Sequence, residues 1–274
     1  MRKHEHSRLR PTLAAPIAAL GLLAGTIGPA LAERSNVVDK IRGQAKAAAF
    51  ALDVDVDLLN AVPLDVGPLA QLRLSGDAGP RFENVAKIDL PPLLEALVLA
   101  TGAETSSGKD LASKASARVA TIKLRLLGEL LIKLIKSECE VKDNVVNVGS
   151  DLVFADGSVL GIGVDAVGLA ARPNSRIHIP LVGTLILNEQ QIDTSRDGNK
   201  GAIEVTVNAL RLELDGILGV GDVTVAQSVC KVKGKGVGQD VEIISTVNGA
   251  DTSAQVDDHD GGLLGGGLLG DGLL

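Results

Sequence analysis

The stretch DTSRDGNKGAIE, Asp193 to Glu204, has the residue order of a calcium-binding loop. Asp193, Ser195 and Asp197 stand at its first, third and fifth places, Gly198 at the sixth and Glu204 at the twelfth. An EF-hand puts oxygen ligands, its sharp turn and a bidentate carboxylate at those places. Against that chemistry, Lys200 fills the eighth place, where an apolar residue is usual, and both flanks read as β-strands where an EF-hand has helices. The expectation is a turn-rich hairpin loop and no metal site. If calcium does bind, Asp193, Ser195, Asp197 and Glu204 are the ligands.

Other reactive residue types are few. His4 and His6 lie in the basic N-terminal segment MRKHEHSRLR, which leaves His178 and His259. His178, in RIHIP, reads as a strand-face residue, and His259 sits among Asp257, Asp258 and Asp260 in a solvated tail. No Cys/His cluster has metal-ligand spacing. DGSVLG is not a nucleophile elbow, and GIGVDAVG lacks the spacing of a dinucleotide loop and reads as a Gly-rich strand. A pair of carboxylates could still meet in space to hydrolyse a glycoside, but there is no Trp and no Tyr to line a sugar cleft. No catalytic residue and no cofactor are assigned.

The N-terminus decides the compartment. MRKHEHSRLR is basic, PTLAAPIAALGLLAGTIGPA is apolar and rich in small residues, and Ala30–Ala32 forms an A-x-A cleavage site. That order is a secretory signal peptide over residues 1–32, cut after Ala32. Pro16, Gly21, Gly25, Gly28 and Pro29 interrupt it too often for a transmembrane helix. Removing it leaves 23 basic and 33 acidic residues. Such a surface repels nucleic acid, and with almost no aromatic side chains there is no base-stacking platform. Export also bears on Cys139 and Cys230, the two cysteines of the chain. Two thiols outside the cytosol usually pair, so a disulfide is expected, with a Cys–His nucleophile as the alternative.

The elements that position these residues are β-strands. Val, Leu, Ile and Ala must build the core, because Phe50, Phe82 and Phe154 are the only aromatics. Aliphatic strand formers with 32 Gly favour an all-β fold, an antiparallel β-sandwich or barrel-like domain. In FALDVDVDLL, Phe50, Leu52, Val54, Val56 and Leu58 face one way, and Asp53, Asp55 and Asp57 the other. LPPLLEAL and LLGELLIKLIK are read as strands despite a helical composition, and residues 36–48 as the start of a short helix. Residues 33–45 are a lead segment, 46–250 the β-rich domain, and 251–274 a low-complexity Gly/Leu/Asp tail.

The cysteines lie in matching hexamers, SECEVK and SVCKVK. Upstream, KIDLPPLLEALVL precedes one and RIHIPLVGTLIL the other, and each stretch holds a Leu-Arg-Leu, at Leu124–Leu126 and Leu210–Leu212. An internal repeat is expected over about 78–142 and 168–233: two related β units packed about a pseudo-two-fold, where equivalent cysteines near the axis meet and bond.

GTLILNEQ, GAIEVTVNALRLEL and GDVTVAQSVC together resemble the C-terminal half of a group of secreted actinobacterial proteins, the choice-of-anchor P family. FALDVDVDLL with VPLDVGPL is similar to that domain's opening strand. The resemblance spans roughly residues 46–233 and implies a Val/Leu-rich β domain of the cell surface, with no catalytic residue to carry over. The function expected is that of a secreted or envelope-associated, non-enzymatic structural or adhesive protein of unknown ligand, without a transmembrane span once the signal is removed. The alternatives are a secreted hydrolase with an unrecognised carboxylate pair and a calcium-dependent binding module.

Overall fold

Runs of Val, Ile, Leu and Thr alternating with polar residues give the chain a period of two almost throughout, and it folds accordingly into strands. The computed structural model describes residues 43–58, 63–91, 93–125, 130–154, 158–159, 162–163, 172–216, 219–247 and 250–256. The signal segment, the cleavage site after Ala32, residues 33–42, His259 and the tail beyond 256 lie outside them. In chain order the strands are β1 (Gln44–Leu58), β2 (Leu64–Leu69), β3 (Leu72–Ser75), β4 (Ala78–Leu90), β5 (Leu94–Ser106), β6 (Ala112–Leu124), β7 (Leu130–Lys142), β8 (Val145–Phe154), β9 (Ser158–Val159), β10 (Ile162–Gly163), β11 (Ser175–Ile179), β12 (Gly183–Asp197), β13 (Lys200–Gly216), β14 (Gly219–Lys235), β15 (Val241–Val247) and β16 (Ala250–Val256).

Two seven-stranded sheets form a sandwich. The first has the order β11-β12-β13-β14-β1-β2, with β3 also paired to β1; the second has the order β16-β15-β8-β7-β6-β5-β4. β9 and β10 make a separate ribbon. β1 and β14 of the first sheet lie over β5, β6 and β7 of the second. The all-β sandwich expected from composition is therefore what forms. One pairing departs from it: β15, arriving from β14 in the other sheet, joins β8 in parallel. Of residues 36–48, read as the start of a short helix, Gln44–Ala48 are strand, because they lie on β1 in register with β14 and put Ala45 and Ala47 into the core. At the other end β16 pairs with β15 along its length, six residues into the stretch read as tail.

The two stretches read as a repeat have the same local topology. β4 to β7 and β11 to β14 are each a four-stranded antiparallel meander, with a cysteine on the fourth strand. Pro91 and Pro180 both sit in the first turn. The fourth strands face each other across the core, and Cys139 and Cys230 are bonded there, joining the two sheets.

The bond sets the shape of the core. Its Cα atoms are 6.0 Å apart, well inside the ~10 Å at which sheets normally pack. Small side chains must surround it. On the first sheet Ala47 lies beside Cys230 and Ala49 beside Ser228; on the second, Ala115 lies beside Cys139 and Ala117 beside Ser137. All are buried. The Ser113 hydroxyl adds a link between the sheets: it donates to the Lys46 carbonyl and accepts from the Lys231 N–H at 3.3 Å. Away from this pinch the fully buried side chains are large: Leu52, Leu94, Leu99, Ile122, Ile132, Ile135 and Leu185.

Along one row the inside–outside alternation slips by one residue. On β1 the buried positions are Ala45, Ala47 and Ala49, then, past the adjacent buried pair Ala51 and Leu52, Val54 and Val56. On β13 they change from Val205 and Val207 to Leu210 and Leu212 at Ala209. On β14 they change from Ser228 and Cys230 to Val223 and Val225 at Ala226. Alternate strands make the change with left-handed backbone, at Asn188 (φ 51) and Ala226 (φ 53). The second sheet does it at Val98 (φ 49). The slip corrects one expectation. Leu52, Val54 and Val56 do face the core with the Asp53, Asp55 and Asp57 carboxylates opposite, but Phe50 lies across from Gln227, outside the core stripe. The side chain of Leu58 is not among those described.

Candidate functional site

The DTSRDGNKGAIE stretch is the β12–β13 hairpin, turning at Gly198 and Asn199. Asp193 lies opposite Glu204, Ser195 opposite Ala202, and Asp197 opposite Lys200. A flat hairpin spreads these oxygens along a ladder instead of wrapping them round a centre. The Glu204 carboxylate is bonded by the Lys231 ammonium on β14. Among the described residues, no group of three or more His, Cys, Asp or Glu side chains could hold a metal ion. His178 is exposed on β11.

On the outer face of the first sheet the ionisable side chains of β1 and β14 are sorted by sign, and the register explains why. β1 and β14 run antiparallel, so the Lys46 end of β1 meets the KVKGK end of β14, and the DVDVD end of β1 meets Asp222. At one end stand Lys46, Lys231, Lys233 and Lys235, with Arg73 on β3 opposite Ala48. At the other end one row crosses three strands as Asp65, Asp55 and Asp222, with Asp53 and Asp57 above and below. Like charges placed directly opposite repel. That repulsion reaches Asp53: burial, then Asp65 and Asp55, push its carboxyl above the usual range, against a hydrogen bond from the backbone at Val54.

A polar row separates the two ends. Glu189, Asn208 and Gln227 lie side by side on β12, β13 and β14. The Gln227 amide donates to the Asn208 oxygen at 2.7 Å, and the Asn208 amide donates to Glu189 Oε2 at 2.7 Å. Arg211 closes the row, with Nη1 3.5 Å from Glu189 and 3.3 Å from Glu213, and Nη2 3.0 Å from Asp222. Burial alone would lower the Arg211 pKa, but Asp222, Glu189 and Glu213 hold it above its ordinary value. Glu189 and Asn208 are buried although they stand outside the core cluster. Charge-assisted bonds of this kind compensate the cost of that burial.

A cleft of about 430 Å³ opens at the disulfide end of the sandwich, between the β5–β6 loop, the β7–β8 hairpin and the end of β14. Lys109, Asp143 and Lys235 line it. Asn144 fastens its wall, donating to the Gly236 carbonyl at 2.9 Å and accepting from the Gly238 N–H at 3.0 Å.

Of the residues singled out from sequence, the structure brings Cys139 and Cys230 together. It sets Asp193 beside Glu204, and Asp53 near Asp55 and Asp57 on an open strand face. Sequence reasoning missed the Glu189–Asn208–Gln227–Arg211 network and the two-ended charge pattern. Their signal was present in LNEQ, VNAL and AQSVC, but pairing those motifs needs the register. Compared with protein-family models, with curated proteins and with solved structures, the chain matches none.

Proposed function

We propose that this chain is an exported, envelope-associated, non-enzymatic structural or adhesive protein that acts through the outer face of its first sheet. The observation that carries this reading is the placement of charge. On β14, β1, β2 and β3 the face is an open strand surface whose own cations and anions are sorted to opposite ends, with a bonded polar row reaching across from β12 and β13 between them. An inter-sheet disulfide suits an oxidising compartment. Among the described residues no helix is long and apolar enough to cross a membrane. The likeness to the choice-of-anchor P group and the A-x-A segment ending at Ala32 point the same way. The matching meanders, with their prolines in the first turn and cysteines on the fourth strand, support descent of the two halves from one duplicated unit.

The test is binding of the purified protein to isolated cell envelopes. Binding that falls when Asp55→Lys and Asp57→Lys are introduced together supports the reading; binding indifferent to charge on this face contradicts it. One observation favours the hydrolase reading instead: Asp53, its carboxyl raised beside Asp65 and Asp55, has the electrostatic pattern of a general acid beside a carboxylate. Release of reducing sugar from envelope polysaccharide that is lost in Asp53→Asn would establish that alternative.

A further inference from the structure

We propose that the partner of the polarised face is a second copy of this chain, docked face to face with its strands antiparallel to the first. This deepens the surface reading above and rests on it. The argument is self-complementarity. A two-fold axis lying in the interface, across the strands, lays the lysine end of one copy over the aspartate end of the other, twice. Lys46, Arg73, Lys233 and Lys235 then oppose Asp53, Asp55, Asp57 and Asp65, while Lys231 and Asp222 keep their partners Glu204 and Arg211 within each copy. The opposed residues occupy the same strip of the sheet, made by β14, β1 and the paired β2 and β3. Two copies set parallel would meet with like charges throughout, so the pattern selects one orientation as well as one partner.

The middle of the strip has the character of an interface centre. Ala48 lies beside Val229, and Phe50 beside Gln227, each half-buried, between the two charged ends. A neutral, partly apolar centre with a charged rim is how stable interfaces are built. The area suffices. Three strand widths by the length of β1 give roughly 650 Å² per copy from ordinary strand dimensions, near the ~800 Å² of a standard interface. At the rim, Lys233 and Lys235 are exposed, as are Asp55 and Asp57, so substituting them removes no core contact.

The experiment is sedimentation velocity of the full mature chain with its disulfide intact, across a concentration series. The expected result is a reversible dimer whose dissociation constant rises about tenfold or more between low and high salt, because the rim charges are screened. One variant carries Lys233→Glu with Lys235→Glu, another Asp55→Lys with Asp57→Lys. Each alone is expected to weaken self-association at least about tenfold, since the symmetry doubles every change. Mixed in equal amounts, they are expected to form a heterodimer of near wild-type affinity. A wild type that stays monomeric up to about 1 mM overturns the proposal, and so does a dimer unaffected by either variant or a mixture that stays monomeric. If a reversal variant loses its cooperative melt, Lys233→Gln and Asp57→Asn replace it, with a smaller loss in the same direction expected. A monomeric wild type that still binds envelopes overturns self-docking and leaves the surface reading standing.

Discussion

Removing the Cys139–Cys230 bond should cost this fold about 4.6 kcal/mol. The bond closes a loop of 91 residues, and the chain-entropy relation applied to that length gives about 15 cal/mol/K of entropy restored to the unfolded chain, hence about 4.6 kcal/mol at 25 °C. For a domain of this size each kcal/mol moves the melting point by roughly 2–4 °C, so the double variant Cys139→Ala, Cys230→Ala should melt about 10–18 °C lower. Location reinforces the entropy. The bond is the covalent tie between the sheets, and both cysteines are almost fully buried. The Ala and Ser residues around it leave little bulk to fill the space vacated by two sulfur atoms, so the loss should lie at the upper end of that range. The assay is thermal melting by circular dichroism of wild type, reduced wild type and the double variant. A fall of less than about 3 °C would mean that the sheets are held together without the bond.

Three further outcomes follow from particular residues. Val98 is β-branched, exposed and left-handed (φ 49), a conformation that Asn tolerates and Val does not; Val98→Asn, copying Asn188 at the corresponding slip in the first sheet, should stabilise by about 1 kcal/mol in a denaturant titration. Asp53 has a folded pKa above its unfolded value, so its contribution favours the native state at acid pH and is lost as pH rises through the folded pKa; Asp53→Asn should raise the melting temperature at pH 7 and give no gain at pH 3. Calcium at constant ionic strength should leave the melting temperature unchanged in wild type and in Glu204→Ala, because the hairpin spreads its oxygens and Lys231 holds Glu204; a calcium-dependent rise that disappears in Glu204→Ala would show a site.

Much of the architecture was legible in the sequence. Alternation in FALDVDVDLL and IEVTVNALRLEL marks β1 and β13, and composition alone excludes an aromatic core. The matching hexamers around Cys139 and Cys230 mark two fourth strands that meet. What alternation misses is the slip: Ala51, Ala209 and Ala226 are small and apolar on either reading, so nothing in their type says that the pattern changes phase there, and Phe50 is consequently assigned to the wrong face. The site was less legible for a related reason. Asp53, Asp55 and Asp57 read correctly as an outward ridge. That Asp65 and Asp222 extend it sideways, and that lysines gather at the far end, depends on which strands become neighbours, which is a long-range property of the fold. Asn208 and Gln227 are ordinary polar strand residues until register sets them beside Glu189.

Export to an oxidising surface is tested by the non-reduced intact mass of the protein recovered from fractionated cells. The expected species begins at Glu33, is found in the envelope or medium fraction and is two hydrogens lighter than its reduced form. A chain retaining residues 1–32, found in the cytosol with both thiols free, would contradict it.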